Sequence, residues 1–227
     1  MELSAIVRRL DVTRARVEAE VAAPGIIAVT SAARGDGKSL VAAGLAYGLA
    51  AVGHAVLLVD GNALGPDAGN AGSAPRLDQR PEYDILSYVA AGFKGEPARL
   101  GLASPGVVAS CSVDTVRSTF GRFRDRFAYT VIDSAVLVES GMALVLASEA
   151  DGVVIAFKQG RGALEADREF VKVLQSSHTP VLGVVTTQPK VIREFAAHVT
   201  SYARSSGVRM RANEDGAKNA ASLGVRV

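Results

Sequence analysis

Thr30-Ser31-Ala32-Ala33-Arg34-Gly35-Asp36-Gly37-Lys38-Ser39 stands between a short apolar run, Ile26-Ile27-Ala28-Val29-Thr30, and a helical stretch that follows from Leu40. Each residue type in that order answers a requirement of holding phosphate. Glycines let the backbone turn its N–H groups inward, a helix N-terminus adds a positive dipole end, and a lysine neutralises terminal phosphate oxygens. The serine hydroxyl then suits the shell of a Mg²⁺ ion. The usual pattern has glycine where Ala32 stands, while Gly35, Gly37, Lys38 and Ser39 are in place. Arg34, Gly35, Asp36, Gly37, Lys38, Ser39 and Leu40 are therefore the candidate phosphate-binding residues. A glycine-rich strand-to-helix turn that holds no ligand is the alternative reading.

Outward from this loop, apolar runs rich in β-branched residues recur at 55–59, 107–109, 129–132, 153–157 and 181–186. They have the pattern of strands buried on both faces. Helical stretches separate them at 40–52, 116–127, 141–148, 164–174 and 192–202. Buried strands alternating with helices predict a doubly wound α/β fold, its mostly parallel sheet covered on both faces, because parallel neighbours need crossover connections. Residues 3–21 space Leu3, Ile6, Val7, Leu10, Val17 and Val21 as one amphipathic helix, ended by Pro24-Gly25. The expected organisation is an N-terminal helix over 1–23, a nucleotide-binding domain over 24–203 and a disordered tail over 204–227. The Gly-, Ala- and Pro-rich segment 61–81 reads as a long loop, opening at a strand's carboxyl end where such sheets bind ligands.

The composition excludes several classes. A chain of 227 residues with 48% hydrophobic content is long enough to bury a core without disulfides or a structural metal. Cys111 is the single cysteine and His54, His178 and His198 are scattered, so no zinc pattern exists and no metal site beyond Mg²⁺ is expected. With Lys+Arg 25 against Asp+Glu 23, specific nucleic-acid binding is not expected. The uncharged window 40–59 approaches membrane-span length, but its glycines and its Gly53-His54 turn read as helix, turn and strand. The first residues lack the signal-peptide pattern, and a cytoplasmic location is expected.

Asp60 ends the second apolar run and Asp133 ends Tyr129-Thr130-Val131-Ile132. In a parallel sheet both lie at the carboxyl edge, beside the loop, where a carboxylate binds a metal or its waters or orients a nucleophile. Capping of the next helix is the other use of a strand-end aspartate. Lys38, Asp60 and Asp133 are the candidate catalytic residues; Ser39, Asp60 and Asp133 are the candidate Mg²⁺ ligands. Phe120, Phe123 and Phe127 form one helical stripe, read as a core face.

These residues resemble the deviant P-loop ATPases of the MinD/ParA group and, within it, the cytoplasmic domain of bacterial tyrosine kinases of capsule and exopolysaccharide synthesis. The resemblance covers about residues 10–190: Val29 to Ser39, Val56-Leu57-Leu58-Val59-Asp60 as Walker A′, Val131-Ile132-Asp133 as Walker B, and the later strands around Val153-Val154 and Gly183-Val184. The signature lysine of MinD and ParA proteins falls at Ala33, which favours the kinase branch. The resemblance implies ATP and Mg²⁺ as ligands and a membrane polysaccharide copolymerase-type partner. It also implies Walker aspartates that assist γ-phosphate transfer to a tyrosine cluster.

Several positions depart from the kinase pattern. Asn62 and Leu64 stand where Walker A′ continues with aspartate and arginine, Ser134-Ala135-Val136 replaces Thr-Pro-Pro, and Thr187-Gln188 stands where an adenine-contacting asparagine is frequent. An amide ligates through its carbonyl but cannot act as a base at neutral pH. Tyr47, Tyr83, Tyr88, Tyr129 and Tyr202 are dispersed and form no terminal cluster. Asp11-Val12-Thr13-Arg14 keeps half of the Glu-x-x-Arg-x-x-Arg assembly motif, so homo-oligomerisation through the N-terminal helix is one expectation and packing on the domain the other. The resulting expectation is an ATP-binding protein with slow hydrolysis or phosphoryl transfer; a positioning ATPase and a catalytically inactive scaffold are the alternatives.

Overall fold

The computed structural model describes residues 3–61, 86, 89–92, 95–101, 112–162 and 165–188. Six strands form one parallel sheet: β1 (Gly25–Thr30), β2 (Val56–Asp60), β3 (Ala98–Gly101), β4 (Tyr129–Asp133), β5 (Gly152–Lys158) and β6 (Val181–Thr187). Their order is β3-β2-β4-β1-β5-β6, with β1 between β4 and β5. The helices are α1 (Leu3–Arg9), α2 (Asp11–Glu20), α3 (Lys38–Ala51), α4 (Val113–Arg124), α5 (Gly141–Ser148) and α6 (Glu165–Ser177). A short 3₁₀ turn occupies Leu137–Glu139.

Strands β1 and β4 are buried along their whole length because both of their faces are covered. By contrast β6, at the edge of the sheet, departs from the expectation of a strand buried on both faces: it exposes Val181 and Val184 and buries Leu182 and Thr187. Ile26 and Ala28 of β1 point into one core with Phe120, Phe123, Met142, Leu146, Phe170 and Leu174 of α4, α5 and α6. Ile27 and Val29 point into the other, against Val17 of α2 and Val41, Leu45 and Leu49 of α3. Period-two alternation along β1 thus feeds two separate apolar layers. Phe120 and Phe123 are buried as a core stripe requires, and Phe127 packs partly buried against the same cluster. Ser112 caps α4 by accepting a hydrogen bond from the Thr115 amide at 3.2 Å, satisfying one donor of the first turn.

Two details differ from the sequence reading. The helix expected over 3–21 breaks at Leu10, whose dihedrals leave the helical range. Leu10 is buried with Ile6 against Leu40, and α1 and α2 both lie along α3. A strand not foreseen at Ala98–Gly101 pairs with β2 through Leu57↔Ala98 to Asp60↔Gly101. The run 107–109, the loop 62–81, the helix 192–202 and the tail from 204 lie outside the described residues. No described helix is long and apolar enough to cross a membrane; the window 40–59 divides between α3 and β2.

Candidate nucleotide site

The loop from Ser31 to Gly37 leaves the carboxyl end of the central strand β1, at the point where the sheet's connections diverge to either side. In doubly wound sheets this is the ligand crevice. Gly37 stands at the N-cap of α3 with φ 88° and ψ 23°, and Gly35 has φ 77°. Both are left-handed values that glycine adopts without a Cβ penalty. The first helical bond runs from the Val41 N–H to the Gly37 carbonyl at 3.0 Å. The amides of Lys38, Ser39 and Leu40 precede that ladder, as the first amides of any helix do, and make its end an anion site.

Lys38 is buried, and its Nζ donates to the Ser31 hydroxyl at 3.2 Å, so the ammonium folds back over the loop. Burial lowers its pKa from the ordinary lysine value; the negative charges of Asp133, Asp36 and Glu139 oppose that effect. Asp133 is buried and Asp60 exposed, and the two are register partners at the ends of β4 and β2. Ser134 fixes the Walker B end: its amide and its hydroxyl both donate to the Val29 carbonyl, at 3.0 and 2.9 Å. Arg34 is exposed in the loop and donates to Glu139 at 2.8 Å, linking it to the turn after β4. Leu40 turns its side chain into the Ile6–Leu10 cluster, so only its backbone belongs to the loop.

The sequence candidates Lys38, Ser39, Asp60 and Asp133 therefore share one edge of the sheet. Arg161 and Thr187 were not among the site candidates, and both act on the candidate Asp36. Asp36 is buried, and Arg161, just beyond β5, donates to both of its carboxylate oxygens, Nε to Oδ1 at 2.9 Å and Nη2 to Oδ2 at 3.1 Å. Thr187 at the end of β6 donates its hydroxyl to the Asp36 carbonyl at 2.7 Å. A cation following glycine at a strand's carboxyl end was the available signal for Arg161. Among the described residues, no three or more His, Cys, Asp or Glu side chains gather into a metal-binding group.

A glycine-lysine loop at the carboxyl end of a central parallel strand, with aspartates ending two neighbouring strands, defines a P-loop nucleotide-binding domain. The CobQ/CobB/MinD/ParA nucleotide binding domain family matches residues 27–201, and the chain belongs to that family. It is 28% identical over 179 residues to the succinoglycan biosynthesis transport protein ExoP of Rhizobium meliloti, covering 70% of this chain. The chain spans only 22% of ExoP. Among solved structures, the VpsO kinase domain superposes with a TM-score of 0.66 at 19% identity, covering 82% of this chain and 95% of that one. The kinase domain of the Escherichia coli tyrosine kinase ETK gives 0.62 at 16% identity, covering 80% and 74%. At such identities the likeness is one of fold, the fold that the resemblance to bacterial tyrosine kinases implied.

Proposed function

We propose that this chain binds ATP with Mg²⁺ at the Ser31–Leu40 loop and acts in, or regulates, exopolysaccharide or capsule production or export, by slow hydrolysis or phosphoryl transfer. The observation that carries the nucleotide reading is the loop geometry: left-handed Gly35 and Gly37 turn the backbone into the end of α3 while Lys38 is buried against Ser31. The polysaccharide context is supported by the relation to ExoP. A membrane polysaccharide copolymerase-type protein is the partner this reading assigns, and the cytoplasmic face of the membrane its location.

The donor set fits magnesium. Ser39 offers a hydroxyl, and Asp133 and Asp60 offer carboxylates at adjacent strand ends, all hard oxygen donors suited to a small hard cation. When bound, Mg²⁺ neutralises charge that develops between the β- and γ-phosphates. The loop amides and Lys38 hold the phosphates, and the buried Asp133 orients the attacking hydroxyl or water and accepts its proton. Ala33 stands where positioning ATPases carry their signature lysine, so nothing at that position supports the positioning alternative.

The test uses γ-labelled ATP with Mg²⁺ on the wild type, Lys38→Ala and Asp133→Asn, counting labelled protein and free phosphate together. Turnover in the wild type that disappears in both variants supports the proposal. Binding without either product identifies a nucleotide-sensing regulator, and absence of binding refutes the nucleotide reading.

A further inference from the structure

The loop that would receive the phosphates carries a buried carboxylate of its own. Asp36 sits between the two left-handed glycines, and its side chain is only 1% exposed. A carboxylate there opposes a polyanionic ligand and is costly to bury unless fully paired. Arg161 supplies that pairing with unusual completeness. Its Nε and Nη2 donate to Asp36, while Nη1 and Nη2 donate to Asp167 in the first turn of α6, at 2.8 and 2.6 Å. Both forks of the guanidinium are thus used at once, a geometry that lysine cannot reproduce. The guanidinium carbon also lies 4.4 Å from the centroid of the Phe157 ring, which shields the cluster from one side. Thr187 holds the backbone of the same aspartate. The loop is therefore anchored at one residue to β5, β6 and α6, elements more than a hundred positions away in the chain.

We propose that Arg161 is the positioning residue of the phosphate loop: clamped between Asp36 and Asp167, it fixes the loop's curvature and cancels the one negative charge that the loop would otherwise present to the phosphates. This inference rests on the nucleotide reading above. Asp167 tethers the guanidinium to the start of α6, so the cation is held from swinging out to follow an incoming anion.

The test measures binding of AMP, ADP and ATP, with Mg²⁺, to the full chain carrying Arg161→Met, Arg161→Lys, Asp36→Asn, or Asp36→Asn with Arg161→Met. Folding is checked by circular dichroism at the same temperature. Arg161→Met is expected to weaken ATP binding by about tenfold or more, with a loss that grows from AMP to ATP, because each added phosphate meets the uncompensated carboxylate. Arg161→Lys keeps the charge and loses the fork, and falls between. The double variant is expected to recover the part of the loss that grows with phosphate number, since it removes the orphaned charge together with its partner, and to keep the part that comes from the lost anchor. An equal loss for all three nucleotides, or a double variant as weak as Arg161→Met, overturns the role of Arg161. So does an Arg161→Met protein that is folded and binds like the wild type. A wild type that binds no nucleotide overturns the functional reading itself, an outcome distinct from all three.

Discussion

Asp60 and Asp133 are register partners at the carboxyl ends of adjacent parallel strands, yet Asp60 is exposed and Asp133 is buried beside the charge of Lys38. Equal positions in the sheet thus have unequal environments. Asp133→Asn is expected to lower turnover by about a hundredfold or more, the range of a lost general base. Asp60→Asn is expected to act mainly through the metal, raising the Mg²⁺ concentration for half-maximal rate while costing less in kcat. Steady-state rates across a Mg²⁺ titration separate the two; equal losses in kcat would contradict the assignment.

Lys38 makes a signed pH prediction. Its pKa in the folded protein lies below the ordinary value of 10.5, burial being the largest cause. Between those two values the unfolded chain binds more protons than the folded one, so this group's contribution to stability rises with pH there. Lys38→Met is expected to abolish nucleotide binding, leave stability equal or higher near neutral pH, and flatten that alkaline slope. Denaturant titrations from neutral to alkaline pH read the slope. Phosphates would raise the lysine pKa again, so calorimetry at alkaline pH in buffers of different ionisation enthalpy should register proton uptake on binding.

The two loop glycines should not tolerate alanine equally. A Cβ at Gly35, with φ +77°, would meet nothing within 4 Å, whereas one at Gly37, with φ +88°, would stand 2.9 Å from Cγ2 of Thr187. Gly35→Ala pays for left-handed backbone alone, about 1–2 kcal/mol. Gly37→Ala adds a clash with the residue that secures Asp36, and should cost more and weaken nucleotide binding further. Chemical denaturation beside nucleotide titration tests the order.

Along α3, Gly44 and Gly48 predict opposite signs. A Cβ at Gly44 would come within 2.4 Å of Leu10 Cδ1 and 2.8 Å of Ile6 Cγ2, while at Gly48 the nearest contact, Arg14 Cδ, is an ordinary 3.5 Å. Gly44→Ala is expected to lift α1 from α3, making the N-terminal segment cleavable by protease while the sheet persists. Gly48→Ala gains helix propensity and should stabilise by up to about 1 kcal/mol. Gel-resolved proteolysis and melting curves distinguish them.

By itself the sequence determined the elements whose signals are local. The faces of β1, β2, β4 and β5 are covered over most of their length, so their residues are mainly apolar, and the loop from Thr30 to Ser39 holds its glycines, lysine and serine close together in the chain. The strand-end aspartates were legible because parallel pairing brings every such end to one edge. Tertiary structure decided the rest. Leu10 breaks a helical pattern that runs through it because burial on Leu40 outweighs continuity of the helix. Ala98–Gly101 becomes a strand because β2 offers it an edge, not because its residues, among them Arg99 and Gly101, favour extension. The pairing of Asp36 with Arg161 spans 125 positions, and no periodicity or spacing encodes a contact that exists only once β1 and β5 lie side by side.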